Sequence, residues 1–146
     1  MSPTKTEEVL YDLPSPYVPH RSGLLHLPRF IAKIRKHLAG ELPASYSRNF
    51  TKGFDGFLCL HLGIEAQTMI KTVQSAKNDP ELEAKLEAIF PTDLKVHEWN
   101  RKLVQMGMSE MGRETLEKTK SKMGLKARSD LVSFADMIDY DEKRIK

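Results

Sequence analysis

Between Pro28 and Gly40 the pattern of this chain permits one reading, a helix, and that helix dictates how the rest is read. Phe30, Ile31, Ile34 and Leu38 fall at i, i+1, i+4 and i+8, one face of a 3.6-residue period. Pro28 suits the first turn, where its missing N–H has no intrahelical acceptor anyway. Gly40 supplies the stop, because a residue without Cβ takes the left-handed conformation that closes a helix. Arg29, Lys33 and Lys36 follow at i, i+4 and i+7 beside the apolar stripe. A helix of this kind needs a core on one side and either solvent or acids on the other.

The same signals divide the remaining chain. Pro3, Pro14, Pro16 and Pro19 bar a helix from residues 1–22 and predict an extended arm, with Tyr11, Leu13, Tyr17 and Val18 as its anchors and residues 1–8 as a disordered tail. Residues 23–146 then form a single helical domain. After Pro43, residues 44–53 read as loop. The run FDGFLCLHLGI admits two readings: a helix with Phe50, Phe54, Phe57, Leu58 and His61 along one face, or a buried strand over FLCLHL. Helical neighbours and a Gly63 cap favour the helix. Ala66, Met69, Ile70 and Val73 mark another. Asn78 caps a helix with Pro80 in its first turn and Leu82, Leu86, Ile89 and Phe90 on its apolar face. Thr92 or Asp93 caps a helix carrying Val96, Trp99, Leu103 and Met106, which Gly107 ends. A polar helix from Ser109 to Met123 has a thin stripe of Met111, Leu116 and Met123. Residues 125–130 read as linker, and Ser133 with Asp136 approximates a capping box for a last short helix carrying Leu131, Phe134, Ala135 and Ile138. The expected architecture is all-α: one compact domain of about six or seven helices with a proline-containing N-terminal arm.

At 146 residues, with 40% hydrophobic and 29% charged residues, the chain fits one soluble domain that folds without disulfide or metal. Cys59 is alone, which excludes an intrachain disulfide and suits a reducing compartment. No apolar leader or 18-residue apolar run is present, so the cytoplasm is the expected location and a membrane is not an expected partner.

Charge is unevenly distributed. Residues 20–52 hold seven Lys/Arg against Glu41 alone, net +6, whereas residues 53–100 are net −4. A basic first third packed on an acidic middle third explains this without an external partner; a small anionic ligand or a protein partner is the alternative. Arg29, Lys33 and Lys36, with Arg48 and Lys52 beyond, would form the basic patch. His26 and Arg29 flank a helix N-terminus, where free N–H groups and the helix dipole favour anions. Specific DNA readout is not expected, because no Asn, Gln or Arg cluster opens a helix. His61 on an apolar face reads first as a hydrogen-bonded core residue, and otherwise as the acid/base of a pocket shared with His26, Arg29 and Tyr46. The five histidines lack metal-ligand spacing, so no metal is expected, and no cofactor fingerprint stands out, so no cofactor is expected either. Asp139, Asp141 and Glu142 lack a calcium loop's pattern and are candidates to clamp the basic helix instead.

Several of these stretches also recur together elsewhere. Gly23, His26, Leu27 and Arg29, the helix end Leu38-Ala39-Gly40, the segment Leu60 to Ile64, the pair Trp99-Asn100 and the closing Asp139 to Arg144 resemble the motifs of an uncharacterised bacterial domain-of-unknown-function family. The resemblance spans roughly residues 14–144; the penultimate helix departs from it in length and charge. It implies no activity, cofactor or catalytic residue.

The resulting expectation is a small binding or regulatory domain acting through protein contact or a small anionic ligand at the opening helix, with His26, Arg29, Lys33, Tyr46, Arg48 and His61 as ligand-binding candidates. An enzyme with a pocket lined by His26, Arg29, Tyr46 and His61 is the alternative, and non-specific nucleic-acid binding is a third.

Overall fold

The structure, a computed structural model, describes residues 10–106 and 110–145, and only the backbone of 110 and 111. Among these residues the chain forms eight helices: α1 (Leu27–Leu38), α2 (Ala44–Ser47), α3 (Gly53–Leu62), α4 (Ala66–Ser75), α5 (Asp79–Ile89), α6 (Val96–Gln105), α7 (Glu110–Lys122) and α8 (Phe134–Asp141). The described residues contain no strand, only a single antiparallel bridge between Pro19 and Leu25. The domain is all-α, with one helix more than the upper expected number.

The extra helix is α2, a single turn in the stretch that reads as loop. Pro43 makes it: its carbonyl accepts from both Tyr46 and Ser47 at 2.9 Å, and four residues are too few to show a period. The segment with two readings is a helix. Gly63 ends α3 in the left-handed conformation at φ +69°, and burial recurs at Phe54, Leu58, Cys59 and Leu62, a helical spacing. Its outer face differs from expectation, with Phe57 48% and Leu60 78% exposed.

α1 packs on α4, α4 on α3 and α5, α3 on α6, and α6 on α8. The main core is built from Leu27, Phe30 and Ile34 of α1, Leu58 of α3, Met69 of α4, Leu86 of α5, and Trp99 and Leu103 of α6, all inaccessible or nearly so. Leu38, read as part of the apolar face of α1, lies in the last turn past the core and is 40% exposed. A second, smaller cluster of Leu116, Leu125, Leu131 and Met137 binds α7 to α8, and Phe134 touches both clusters.

The caps follow the sequence in two of three cases. Asn78 accepts from the Glu81 N–H at 2.8 Å, and Ser133 accepts from the Asp136 N–H at 3.1 Å. The Asp136 carboxylate completes the second arm on the Val132 N–H, one residue before the usual place. Asp93 instead closes a short turn on the Lys95 N–H, and α6 starts only at Val96. The expected stop at Gly107 and start at Ser109, like the expected tail over residues 1–8, lie outside the described residues. In the arm, Leu13 is buried and Tyr17 half-buried, whereas Tyr11 and Val18, also expected as anchors, are exposed.

Candidate functional site

The turn before α1 decides where the site can form. Gly23 sits at φ +95°, and a Cβ there would come within 3.1 Å of the Val96 side chain, so the backbone runs directly against α6. Three bonds from α6 hold it: Trp99 Nε1 donates to the Leu25 carbonyl at 2.8 Å, Asn100 Nδ2 donates to the Gly23 carbonyl at 2.9 Å, and the Leu25 N–H donates to Asn100 Oδ1 at 3.0 Å. The next residue, His26, is forced into the left-handed region at φ +73°. A side chain there costs roughly 1–3 kcal/mol and persists only where the surroundings hold it.

What holds His26 is Asp55. Its Nε2 lies 2.6 Å from Asp55 Oδ1, and both side chains are almost wholly buried. Asp55 Oδ2 accepts from Lys33 Nζ at 2.7 Å and from the Thr51 N–H at 3.1 Å. Thr51 is itself left-handed at φ +66°, and Gly56 closes the corner, since a Cβ on it would lie 3.0 Å from the Thr51 carbonyl. Two strained backbone positions thus meet on one carboxylate.

The charge states follow from this arrangement. Burial opposes ionisation of Asp55, but the His26 bond and the Lys33 charge outweigh it and hold the carboxyl below the usual range. Burial lowers His26 more than Asp55 raises it, and Lys33 and Arg29 add to the lowering. Because Lys33 already neutralises Asp55, a second cation on His26 would leave net charge buried. His26 is therefore neutral, and an ionised carboxylate accepts only, so the proton sits on Nε2. Nδ1 is then a bare acceptor, and it has no hydrogen-bond partner among the described residues. An unsatisfied buried acceptor costs about 1–3 kcal/mol.

A second knot lies beside the first. Arg29 forks onto Glu142, with Nη1–Oε1 at 2.8 Å and Nη2–Oε2 at 2.7 Å. Glu142 also accepts from the Tyr46 hydroxyl at 2.9 Å and from Arg144 Nη1 at 2.7 Å. Arg144 reaches on to Asp139 and to the Leu13 carbonyl, Asp139 accepts from Ser15, and the Leu10 N–H donates to the Tyr46 oxygen. Arm, α1, α2 and the end of α8 therefore meet at Glu142. Burial works against the Glu142 charge, yet Arg29, Arg144 and Tyr46 keep its carboxyl below the ordinary value. Burial, with Glu142 adding to it, raises the Tyr46 hydroxyl to about 12.

The acids that balance the basic opening helix are internal. Glu142 takes Arg29, Asp55 takes Lys33, Asp12 takes Lys36 and Asp79 takes Arg35. Both knots border one cleft of about 1110 Å³. His26, Arg29, Lys33, Tyr46 and Arg48 line it, together with Asp55, Lys52 and an apolar wall that includes Phe54, Phe134 and Met137. His61 is not among them. It lines a separate cavity of about 470 Å³ with Phe57, Leu60 and Trp99, and its Nε2 lies 2.7 Å from the Leu94 carbonyl. The reason is helical rotation: α3 directs Asp55 inward toward α1, and His61, six residues on, emerges toward α6.

Asp55 was not among the sequence candidates. Its signal is there in FDGFLCL, an acid one residue from Phe54 and four from Cys59 on the buried face of an apolar helix, which requires a partner.

The match to known families decides the chain's relationships. A profile described as Domain of unknown function (DUF5069) matches residues 12–144. The chain belongs to the DUF5069 family. No curated protein and no solved structure matches it. The DUF5069 membership agrees with the resemblance read from the sequence, and the geometry explains the motifs that carried it. Trp99-Asn100 pins the turn at Gly23, and Asp139 to Arg144 supplies the acids that bind Arg29 and the arm. Among the described residues no helix is long and apolar enough to cross a membrane.

Proposed function

We propose that the protein is a cytoplasmic small-molecule-binding domain whose ligand seats in the cleft between α1, the α2–α3 corner and α8 and brings a hydrogen-bond donor to His26. One observation carries this reading. The imidazole is fixed by Asp55, lies in the cleft wall, and keeps an acceptor nitrogen unpartnered at a residue 1% exposed. Buried polar groups are nearly always satisfied, and a ligand would be the partner that the described residues do not supply. Nδ1 is covered from solvent, so the ligand must part the wall to reach it.

The ion pairs weigh against a small anion held by Arg29 and Lys33, and against nucleic acid bound along the same stripe, since both cations already have buried acid partners. Catalysis is a second reading, favoured by the same pair: a neutral imidazole oriented by a carboxylate is the usual arrangement of a general base. In that reading His26 takes the role the sequence suggests for His61.

Nitrogen NMR of labelled histidine tests the proposal, with phenol as the donor-bearing probe and benzene as the control. Phenol is expected to shift the His26 Nδ1 resonance saturably, and benzene to leave it in place. Saturating phenol with no response at His26, or an Nδ1 that already carries the proton, would refute the reading.

A further inference from the structure

The cleft is not uniform, and its asymmetry specifies the ligand further than a hydrogen bond does. Toward α1, α2 and the start of α3 it is polar, with His26, Lys33, Asp55, Tyr46 and Lys52, and Asp141 and Glu142 continue this at the end of α8. On the opposite side the lining is mostly apolar: Phe57, Met106, Met123, Phe134, Met137 and Ile138 come from four different helices or their ends, with Thr119 the polar residue among them. Phe57 and Met123 are 48% and 43% exposed, an apolar area left open at the cleft among the described residues. Methionine fills irregular space by changing rotamer, so a wall containing three of them adapts to flexible apolar chains. At about 1110 Å³ the space is at the large end for a ligand site and far exceeds what a donor group alone would occupy.

Resting on the reading that a donor meets His26, we propose that the ligand is an amphiphile: a neutral polar end carrying O–H or N–H, and an extended apolar body lying along the α7–α8 wall. The polar end satisfies His26 Nδ1 on the polar side. The body covers Phe57 and Met123 at the open side. A charged carboxylate end fits less well, because an acceptor nitrogen repels a second acceptor and Asp55 lies behind it.

The test uses the full chain and a series of primary alkanols from butanol to decanol, with calorimetric or competition binding. Each added methylene is expected to tighten binding about fourfold, the value of one buried CH₂, until the wall is filled. Each alkanol should bind roughly threefold to tenfold more tightly than the methyl ether of equal length, which lacks the donor. Met123→Glu, at a position exposed enough to accept charge without unfolding, should weaken decanol more than butanol. If affinity is independent of chain length while phenol still shifts His26, the amphiphile proposal is wrong and the binding site stands. If ethers or carboxylates match the alkanols at every length, the neutral donor end is wrong. If no probe of either kind perturbs His26, both readings fall together.

Discussion

Asp55→Asn is the change that most directly tests how the site is held. Asparagine keeps the shape but removes the charge that faces Lys33, a residue only 6% exposed, at 2.7 Å. It also presents N–H groups where His26, Lys33 and the Thr51 N–H all donate. Removing one member of a buried pair costs about 3–5 kcal/mol, because the survivor keeps its desolvation penalty without a counter-charge. In a domain of this size that corresponds to a fall in Tm of roughly 6–20 °C. Lys33→Met should cost less, since His26 can then take up a proton and neutralise Asp55 in place of the lysine. The double variant removes both charges and should recover about 2–3 kcal/mol relative to the sum of the single changes, the coupling expected of a contacting pair. Urea titration followed by fluorescence of Trp99, itself 1% exposed and bonded to the Leu25 carbonyl, reads all three variants. A cost below about 1 kcal/mol for Asp55→Asn, or strict additivity in the double variant, would show that the charges do not form the buried pair described.

Stability should also depend on pH in a direction set by His26. Its folded value is lowered from 6.5, so below that pH the unfolded chain binds a proton that the folded one refuses, and stability falls as pH falls. Asp55 and Glu142, lowered from 3.8 and 4.5, act in the same direction: their contributions are fully present above those values and vanish as pH drops through the folded ones. Urea midpoints from about pH 7 to about pH 5 should therefore decline, by at most about 1.4 kcal/mol per pH unit for one proton, and His26→Gln should flatten the decline; an unchanged slope in that variant would assign the effect elsewhere. Gly56→Ala places a Cβ 3.0 Å from the Thr51 carbonyl, and the corner that carries Asp55 has to move. A loss of about 1–3 kcal/mol is expected, with a perturbed His26 resonance, and a neutral result would mean that the corner is slack.

Local periodicity made α1, α4, α5 and α8 readable, because each has apolar residues at helical spacing and most have a recognisable cap. A single turn such as α2 is too short to carry a period. The outer face of α3 is as apolar as the inner one, so the sequence could not say that Phe57 and Leu60 would be left outside. His26 is a candidate from its place before the opening helix, whereas its pairing with Asp55 is not legible from the sequence. Asp55 lies 29 residues from His26 in the chain, and nothing local joins them.

The acidic complement of the opening helix shows where the two kinds of information divide. Sequence alone determined an all-α chain with a basic helix after a proline-containing arm, and enough acid elsewhere to neutralise it, because helical period, caps and charge are local or additive properties. Only the tertiary structure decided which acid meets which base. It sent Glu142, 113 residues away, to Arg29 and Asp55 to Lys33, and by pairing those charges inside the fold it left His26 neutral with one nitrogen unpaired among the described residues. Pairing of that kind depends on burial and distance in space, which a linear pattern does not encode.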